Sequence, residues 1–261
     1  MAITATAATR EYCQLIRAAN RRPTIWVSYP LVLALTLAPV QQRFNHEDRA
    51  IIAIAIIAAF LAQIGRQSAA RSVEDWMATL VGPMYIGVLM SYIVLLRNQP
   101  GGLAWTAMLF VMVWANDSGA YLVGRKFGRR PFFNAISPKK TLEGAVGGTL
   151  ASVAVGLAAP FVARLTVPVI ARAIAPFAEV VPRVHTPPLA ETSALALGVL
   201  GLAVAVAAPA GDLAQSFLKR QVGVKDTGDL IPGHGGVWDR IDSLLFAAPV
   251  VYYTVVLLER L

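Results

Sequence analysis

The sequence predicts an all-α, polytopic integral membrane protein, and two observations support that prediction. Of the 261 residues, 56% are hydrophobic and only 15% are charged, whereas soluble domains have about 25% charged residues. The apolar residues also fall into uncharged blocks, and a helix needs about 20 such residues to cross a bilayer. We therefore expect a membrane-embedded helical bundle with its charged residues in the connecting loops.

About seven transmembrane helices are predicted. They cover residues 24–42, 50–65, 79–96, 103–124, 142–163, 192–214 and 243–259. Residues 165–182 are apolar but contain Arg172 and three prolines, so we interpret them as an interfacial or re-entrant segment. Residues 1–23 are rich in arginine and lack the apolar core of a signal peptide.

The basic residues indicate the orientation of the chain. They collect at the N-terminus, in residues 125–141 and in residues 215–242. With seven spans all three segments lie on one side, which the positive-inside rule makes cytoplasmic. The net charge of +8 then faces anionic headgroups. We expect no nucleic-acid partner, since no RNA- or DNA-binding motif is present.

Cysteine and histidine offer little for metal binding. The single cysteine, Cys13, excludes an intrachain disulfide and a Cys-based metal site. The histidines at 46, 185 and 234 are far apart in sequence, which argues against a zinc site.

Charged side chains lie at the end of the apolar segment 192–214 and just before the segment 243–259. Asp212, Ser216 and Lys219 recur at intervals of four and three residues, so they share one face of a helix. Asp239 and Asp242 are three residues apart and would share a face if the last helix begins near position 237.

Between these sets lies the sequence PGHGG, which includes His234, Gly235 and Gly236. Such a turn exposes its backbone and can approach phosphate closely. Five acids lie between positions 212 and 242, among them Asp226, and basic residues alternate with them. Mg²⁺ prefers carboxylate and phosphate oxygens, and Lys and Arg bind phosphate. This mixture is typical of a metal-phosphate site for phosphoryl or nucleotidyl transfer.

A second charged loop follows the segment 103–124. Asp117 lies near the end of that apolar segment, where a carboxylate is costly and often functional. Ser137 or Thr141 could cap the next helix, whose N-terminus favours an anion. All five lysines occur in the two charged loops, at positions 126, 139, 140, 219 and 225. Membrane anchoring is an equally good explanation for the arginines of this loop, and solvation for Asp226.

From Ser216 to Asp242 the sequence resembles the phosphatidate cytidylyltransferase family, the CDP-diacylglycerol synthases. The family pattern is S-x-aliphatic-K-R, then K-D, a small residue, P-x-H-G-G and D-R-x-D. The matching residues are Ser216, Lys219, Arg220, Lys225, Asp226, Gly228, Pro232, His234, Gly235, Gly236, Asp239, Arg240 and Asp242. The loop from Asp117 to Gly144 is also similar, although Lys139 and Leu142 stand where the family usually has Gly and Trp.

The resemblance implies that CTP and phosphatidic acid react to give CDP-diacylglycerol and pyrophosphate, with Mg²⁺ and room for a second metal ion. Three carboxylates are then expected to hold metal, namely Asp212, Asp239 and Asp242. The expected catalytic residues are Asp212, Lys219, Arg220, Lys225, Asp226, Asp239 and Arg240. The expected substrate-binding residues are Asp117, Ser137, Lys140, Thr141, Ser216, His234, Gly235 and Gly236.

We interpret residues 1–261 as one membrane-embedded domain, with N-terminal helices in 1–100 and the catalytic part in 101–261. The enzyme is expected in the cell membrane with its site facing the cytoplasm, in contact with membrane lipids, and a homodimer is allowed. Two alternatives stay open. One is CTP-dependent transfer to another lipid phosphate or a polyprenol, and the other is an ion-coupled transporter that uses Asp117 and Asp212.

Overall fold

A computed structural model describes residues 1–41, 47–66, 72–134, 136–174, 188–224, 226–228 and 235–260. Within these ranges the chain is mainly helical, and an isolated antiparallel bridge links Pro131 and Thr141. The helices are α1 Ala2–Ala18, α2 Ile25–Leu37, α3 Glu47–Gly65, α4 Ser72–Asn98, α5 Gly102–Phe127, α6 Leu142–Ile174, α7 Ala194–Gln221 and α8 Trp238–Leu258. The predicted all-α membrane fold is confirmed.

Among the residues that the structure describes, four helical stretches are long and apolar enough to cross a membrane: Ser72–Asn98, Leu142–Thr166, Ala194–Gln221 and Trp238–Leu258. The helices α2 and α3 are apolar but shorter. Each of the seven predicted segments has a helical counterpart. The number that span the bilayer stays a prediction.

The structure corrects the sequence interpretation at two places. Residues 165–174, predicted as part of an interfacial or re-entrant segment, continue α6 as far as Ile174, and residues 175–182 lie outside the described ranges. The N-terminal residues, for which no helix was predicted, form α1. The helix contains two arginines, Arg10 and Arg17, and is amphipathic rather than uniformly apolar, so the apolar pattern that reveals a membrane span did not reveal it.

The chain divides into two compact units. The first contains Met1–Leu95 and Gly211–Ala248, and the second contains Leu96–Ala210 and Pro249–Leu261. The first unit has a core of α2, α3 and α4 side chains, namely Val27, Leu31, Leu35, Ala55, Ala59 and Leu80. In the same unit Tyr12 of α1 packs edge-on against Trp238 of α8, with ring centroids 5.8 Å apart. Both side chains are buried.

In the second unit α5 and α6 approach each other through glycines. A Cβ at Gly119 would lie 2.7 Å from the carbonyl oxygen of Gly147, and a Cβ at Gly147 would overlap Val123. Small residues at such positions let two membrane helices pack backbone to backbone. This contact fixes the charged loop between α5 and α6 at both of its ends.

Candidate active site

The first group of candidate residues lies on the last three turns of α7. Asp212, Ser216 and Lys219 are all within the helix, which ends at Gln221. Ser216 Oγ donates to Asp212 Oδ1 at 3.2 Å. Beyond the helix, Gly223 adopts φ = 74°, and the N–H of Val224 donates to the carbonyl of Lys219 at 3.1 Å. This left-handed glycine ends α7 shortly after Lys219. The residues between α7 and α8, 222–237, are called the motif loop below.

Asp239, the second residue of α8, is surrounded by donors. Its Oδ1 accepts a hydrogen bond from Lys219 Nζ at 2.7 Å. The side chains of this pair are 11% and 12% exposed, so the ion pair is mostly buried. Oδ2 accepts from the backbone N–H groups of Thr227 at 3.1 Å and Gly236 at 3.0 Å. The carboxylate therefore joins α7, the loop and α8 at one point.

Asp226 lies close to the same carboxylate. Gly235 has φ = 79°, a conformation that L side chains rarely adopt. A Cβ at this position would lie 3.1 Å from Asp239 Oδ2 and 3.8 Å from Asp226 Oδ1. Gly235 thus lies close to both carboxylates.

The third carboxylate, Asp242, lies at a close contact between α7 and α8. Gly211 leaves so little room that a Cβ there would overlap the carbonyl oxygen of Asp242. Asp242 is 8% exposed, and its Oδ1 accepts the N–H of Ser243 at 2.6 Å. Because Asp212 follows Gly211 directly, the tight contact brings the backbones of two predicted metal ligands together.

Two of the candidate basic residues lie on the surface. The guanidinium of Arg220 is exposed and donates to the carbonyl of Val224 at 3.5 Å. Arg240, in the first turn of α8, is exposed as well. Lys225 and His234, which the motif also predicts, lie outside the described residues.

The other charged loop belongs to the second unit. Asp117 is exposed on α5, which continues to Phe127. Thr141 caps α6, since its Oγ1 accepts the N–H of Gly144 at 3.2 Å, as one of the two predicted alternatives has it. Glu143 Oε2 accepts the N–H groups of Arg129 and Arg130 at 3.0 and 3.2 Å. The acid therefore holds the beginning of the loop against the helix that follows it.

Lys140 links this loop to α7. Its Nζ donates to the carbonyl of Pro209 at 3.5 Å. Pro209 lies within α7, three residues before Asp212 in the sequence. Ser137 is half-buried and accepts the N–H of Lys140 at its carbonyl, at 3.2 Å. The predicted nucleotide loop is thus anchored on the part of α7 that belongs to the second unit.

Sequence reasoning missed two buried polar residues of the first unit. Gln215 is fully buried, and neither polar atom of its amide has a hydrogen-bond partner among the described residues. Its position three residues after Asp212 puts it on the helix face of the predicted site, so the sequence contained a usable signal. Glu11 is fully buried and accepts hydrogen bonds from Thr227, Val237 and Trp238. Nothing in the sequence pattern links it to a loop more than 200 residues away.

The magnesium ion expected from the sequence would have to be shared with a substrate. Within the described ranges no group of three or more Asp, Glu, His or Cys residues could hold a metal by itself. Mg²⁺ usually takes one or two carboxylates and completes its shell with water and substrate phosphates. Oδ2 of Asp239 accepts two backbone N–H groups and Oδ1 accepts Lys219 Nζ, so a metal ion at Oδ1 would share that oxygen with the ammonium or displace it. The unpaired amide of Gln215 adds a buried polar group on the Asp212 face.

Comparison with known proteins agrees with the geometry. Residues 1–258 match the model of the Cytidylyltransferase family. A phosphatidate cytidylyltransferase from Synechocystis sp. is 34% identical over 95% of this chain and 84% of its own length. Proteins of the same name from Bacillus subtilis and Brucella suis are 35% and 38% identical over 67% and 70% of this chain. The chain aligns with only 56% and 57% of the lengths of these two relatives. By this match and by the motif residues gathered around Asp239, the chain belongs to the Cytidylyltransferase family.

Proposed function

We propose that this protein transfers the cytidylyl group of CTP to phosphatidic acid, forming CDP-diacylglycerol and pyrophosphate. The observation that best supports the proposal is the buried pair of Lys219 and Asp239, which joins the two halves of the motif at 2.7 Å. A cation and a carboxylate held together at a glycine-rich turn suit the binding of phosphate and metal. The names of the relatives supply the lipid substrate.

The reaction needs no covalent enzyme intermediate. A phosphate oxygen of phosphatidic acid attacks the α-phosphorus of CTP and forms a new P–O bond. The bond between the α-phosphorus and the oxygen that bridges to the β-phosphate breaks, and pyrophosphate leaves with the electron pair. Because the lipid phosphate is already ionised near neutral pH, no strong general base is required.

The work of the protein is therefore positioning and charge stabilisation. Lys219, Arg220 and Arg240 would bind the triphosphate or the lipid phosphate, together with Lys225. The nucleotide would contact Asp117 of α5 and the loop that follows α5, which contains Ser137, Lys140 and Thr141. Ser216 would keep the Asp212 carboxylate in place through its 3.2 Å hydrogen bond.

Asp212, Asp239 and Asp242 would hold magnesium, which when bound neutralises negative charge on the phosphate oxygens. Asp226, beside the Gly-rich turn, would adjust the charge of the phosphate pocket rather than complete the set of ligands. We further propose that the site faces the cytoplasm at the cell membrane. Acyl chains then stay in the lipid while CTP enters from water.

The test uses purified protein in mixed micelles with phosphatidic acid, labelled CTP and Mg²⁺, with transfer of the label into the lipid phase as the readout. We expect labelled lipid that disappears when EDTA is added. Parallel reactions contain an isoprenoid-glycerol phosphate or a polyprenol in place of phosphatidic acid. If labelled lipid forms with one of these compounds and not with phosphatidic acid, that compound is the substrate. No product with any lipid would refute the proposal, and substrate uptake into proteoliposomes without turnover of CTP would support a transporter.

A matched pair of variants tests the site. Asp239→Asn removes the charge that pairs with Lys219, whereas Glu259→Gln makes the same chemical change at an exposed position past the end of α8. We expect Asp239→Asn to lower turnover by about 100-fold or more and Glu259→Gln to leave it unchanged. Equal turnover in the two variants would show that Asp239 is not part of the active site.

A further inference from the structure

A buried carboxylate from the first helix lies at the start of the last one. Glu11 is fully buried. Its Oε1 accepts the N–H of Val237 and its Oε2 accepts the N–H of Trp238, both at 2.8 Å. α8 begins at Trp238. The first N–H groups of a helix have no hydrogen-bond partner within the helix, and a nearby side chain usually accepts them. At α8 this acceptor is Glu11, which belongs to α1.

The position also suits the negative charge of Glu11. A carboxylate at a helix N-terminus interacts favourably with the helix dipole. Among the described residues no Lys, Arg or His forms an ion pair with Glu11, so its charge faces backbone N–H groups and one hydroxyl. The backbone of the motif loop is thereby tied to α1.

Thr227 connects Glu11 to the predicted metal ligand. Its Oγ1 lies 3.1 Å from Glu11 Oε2 and 3.1 Å from Asp239 Oδ2. Its backbone N–H donates to the same oxygen of Asp239, also at 3.1 Å. Thr227 is 5% exposed. The hydroxyl therefore lies between two carboxylates on two helices and donates its one proton to either of them in turn, in a place that bulk water hardly reaches.

The loop approaches Glu11 closely through two glycines. A Cβ at Gly228 would lie 3.1 Å from Glu11 Cγ, and a Cβ at Gly236 would overlap the Glu11 carboxylate and the Thr227 hydroxyl. Both glycines belong to the segment that surrounds Asp239. The loop is packed on Glu11 as well as hydrogen-bonded to it.

We propose that Glu11 is a positioning residue for cytidylyl transfer, an inference that rests on the proposed function. It fixes the N-terminus of α8 and the hydroxyl of Thr227, and through them it sets the orientation of the Asp239 carboxylate. It does not touch the reacting atoms. Residues that hold a metal ligand in this way typically change metal affinity or activity by about 10- to 100-fold when they are replaced.

The test compares four variants of the full-length protein in mixed micelles. Glu11→Gln keeps the shape of the side chain but offers one acceptor in place of two. Thr227→Val removes the bridging hydroxyl, and Thr227→Ser keeps it. Glu74→Gln is the control, since this glutamate lies in the same unit and forms a half-exposed ion pair with Arg21 at 2.9 Å.

We expect Glu11→Gln and Thr227→Val to lower kcat by at least about tenfold and to raise the Mg²⁺ concentration for half-maximal activity. In Thr227→Ser and Glu74→Gln both quantities should stay within about twofold of those of the parent protein, since neither change removes a hydrogen bond to Asp239. A parent-like kcat and Mg²⁺ requirement in Glu11→Gln would overturn the proposal.

Hydrogen exchange of the metal-free protein supplies a readout that does not depend on turnover. In Glu11→Gln the amides of Val237 and Trp238 should exchange faster, while those in the middle of α4 should not. Faster exchange throughout the protein would show a general loss of stability and would also overturn the proposal. If the parent protein forms no cytidylyl lipid at all, the proposed function fails, and the exchange rates still decide whether Glu11 holds the loop.

Discussion

The ammonium group of Lys219 lies 2.7 Å from Oδ1 of Asp239, and both side chains are nearly nine-tenths buried. Twenty residues separate them in sequence, and the whole motif loop lies between them. The pair therefore closes the loop into a ring that joins the end of α7 to the start of α8. Its energetic and chemical roles can be separated by experiment.

The first prediction is a double-mutant cycle on this pair. Lys219→Met and Asp239→Asn each leave a mostly buried charge without its partner, which should cost on the order of 3 kcal/mol of unfolding free energy. The double variant should lose less than the sum of the two, with a coupling of about 0.5–3 kcal/mol. Turnover should stay low in all three variants, because the cation and the carboxylate are both needed for chemistry. Unfolding in mixed micelles and CTP turnover are measured side by side, and additive losses of stability would mean that the pair is not coupled.

Two adjacent lysines make the second prediction. Lys140 is half-buried and donates to the carbonyl of Pro209, whereas Lys139 is exposed at a position where related enzymes usually have glycine. Lys140→Gln should raise the KM for CTP by about tenfold, the effect of losing one charge-assisted hydrogen bond. Lys139→Gly should leave KM and kcat nearly unchanged. Steady-state kinetics with varied CTP distinguishes them, and a complete loss of activity in Lys139→Gly would show that the loop binds nucleotide differently here.

The third prediction concerns the contact of α7 with α8. Gly211→Ala forces a methyl group into the carbonyl oxygen of Asp242, which should lower the free energy of unfolding by about 1–3 kcal/mol and reduce turnover. Gly65→Ala is the control, since a Cβ at that helix end meets nothing within 4 Å. That variant should be as stable as the parent or up to about 1 kcal/mol more stable. If Gly211→Ala behaves like the control, the close contact does not determine the geometry of the acids.

The fourth prediction concerns the buried amide of Gln215. Replacing an unpaired buried polar group by an apolar one of similar size should not destabilise the protein, and could add about 1–3 kcal/mol. If the amide binds substrate or ordered water in the working enzyme, Gln215→Leu should lower turnover while the thermal unfolding midpoint stays equal or rises. Unchanged turnover in Gln215→Leu would show that the amide is part of the protein core and has no role in the reaction. A fall in both quantities would show instead that its partner is part of the folded protein.

The sequence predicted the apolar helices well because length and composition determine a membrane span almost without reference to the rest of the chain. It did not predict α1, since the buried face of that helix mixes large apolar residues with small and polar ones such as Ala8, Thr9 and Glu11. It also ended the apolar segment after residue 163, although α6 continues through Arg164 to Ile174. The guanidinium of Arg164 donates to the carbonyl of Ala190 at 2.8 Å, a tertiary contact that no local pattern reveals.

The candidate site shows the same division. Spacing placed Asp212, Ser216 and Lys219 on one helix face, because helical periodicity is a local property. The contact of Gly211 with Asp242 and the hydrogen bonds of Glu11 depend on how helices meet, which spacing does not encode. The roles of the individual residues in substrate and metal binding stay predictions until the variants above are measured.

The hydrogen bond from Trp238 to Glu11 spans 227 positions of the chain. At the usual rate of protein synthesis, the ribosome adds Trp238 roughly 10–45 s after it adds Glu11. During that interval the N-terminus of α8, which the Glu11 carboxylate caps in the folded protein, has not yet been synthesised. The motif loop, in turn, cannot take its final shape until nearly the last helix has left the ribosome. Catalytic competence should therefore appear in one late, slow step of assembly, as expected for contacts between distant parts of a chain.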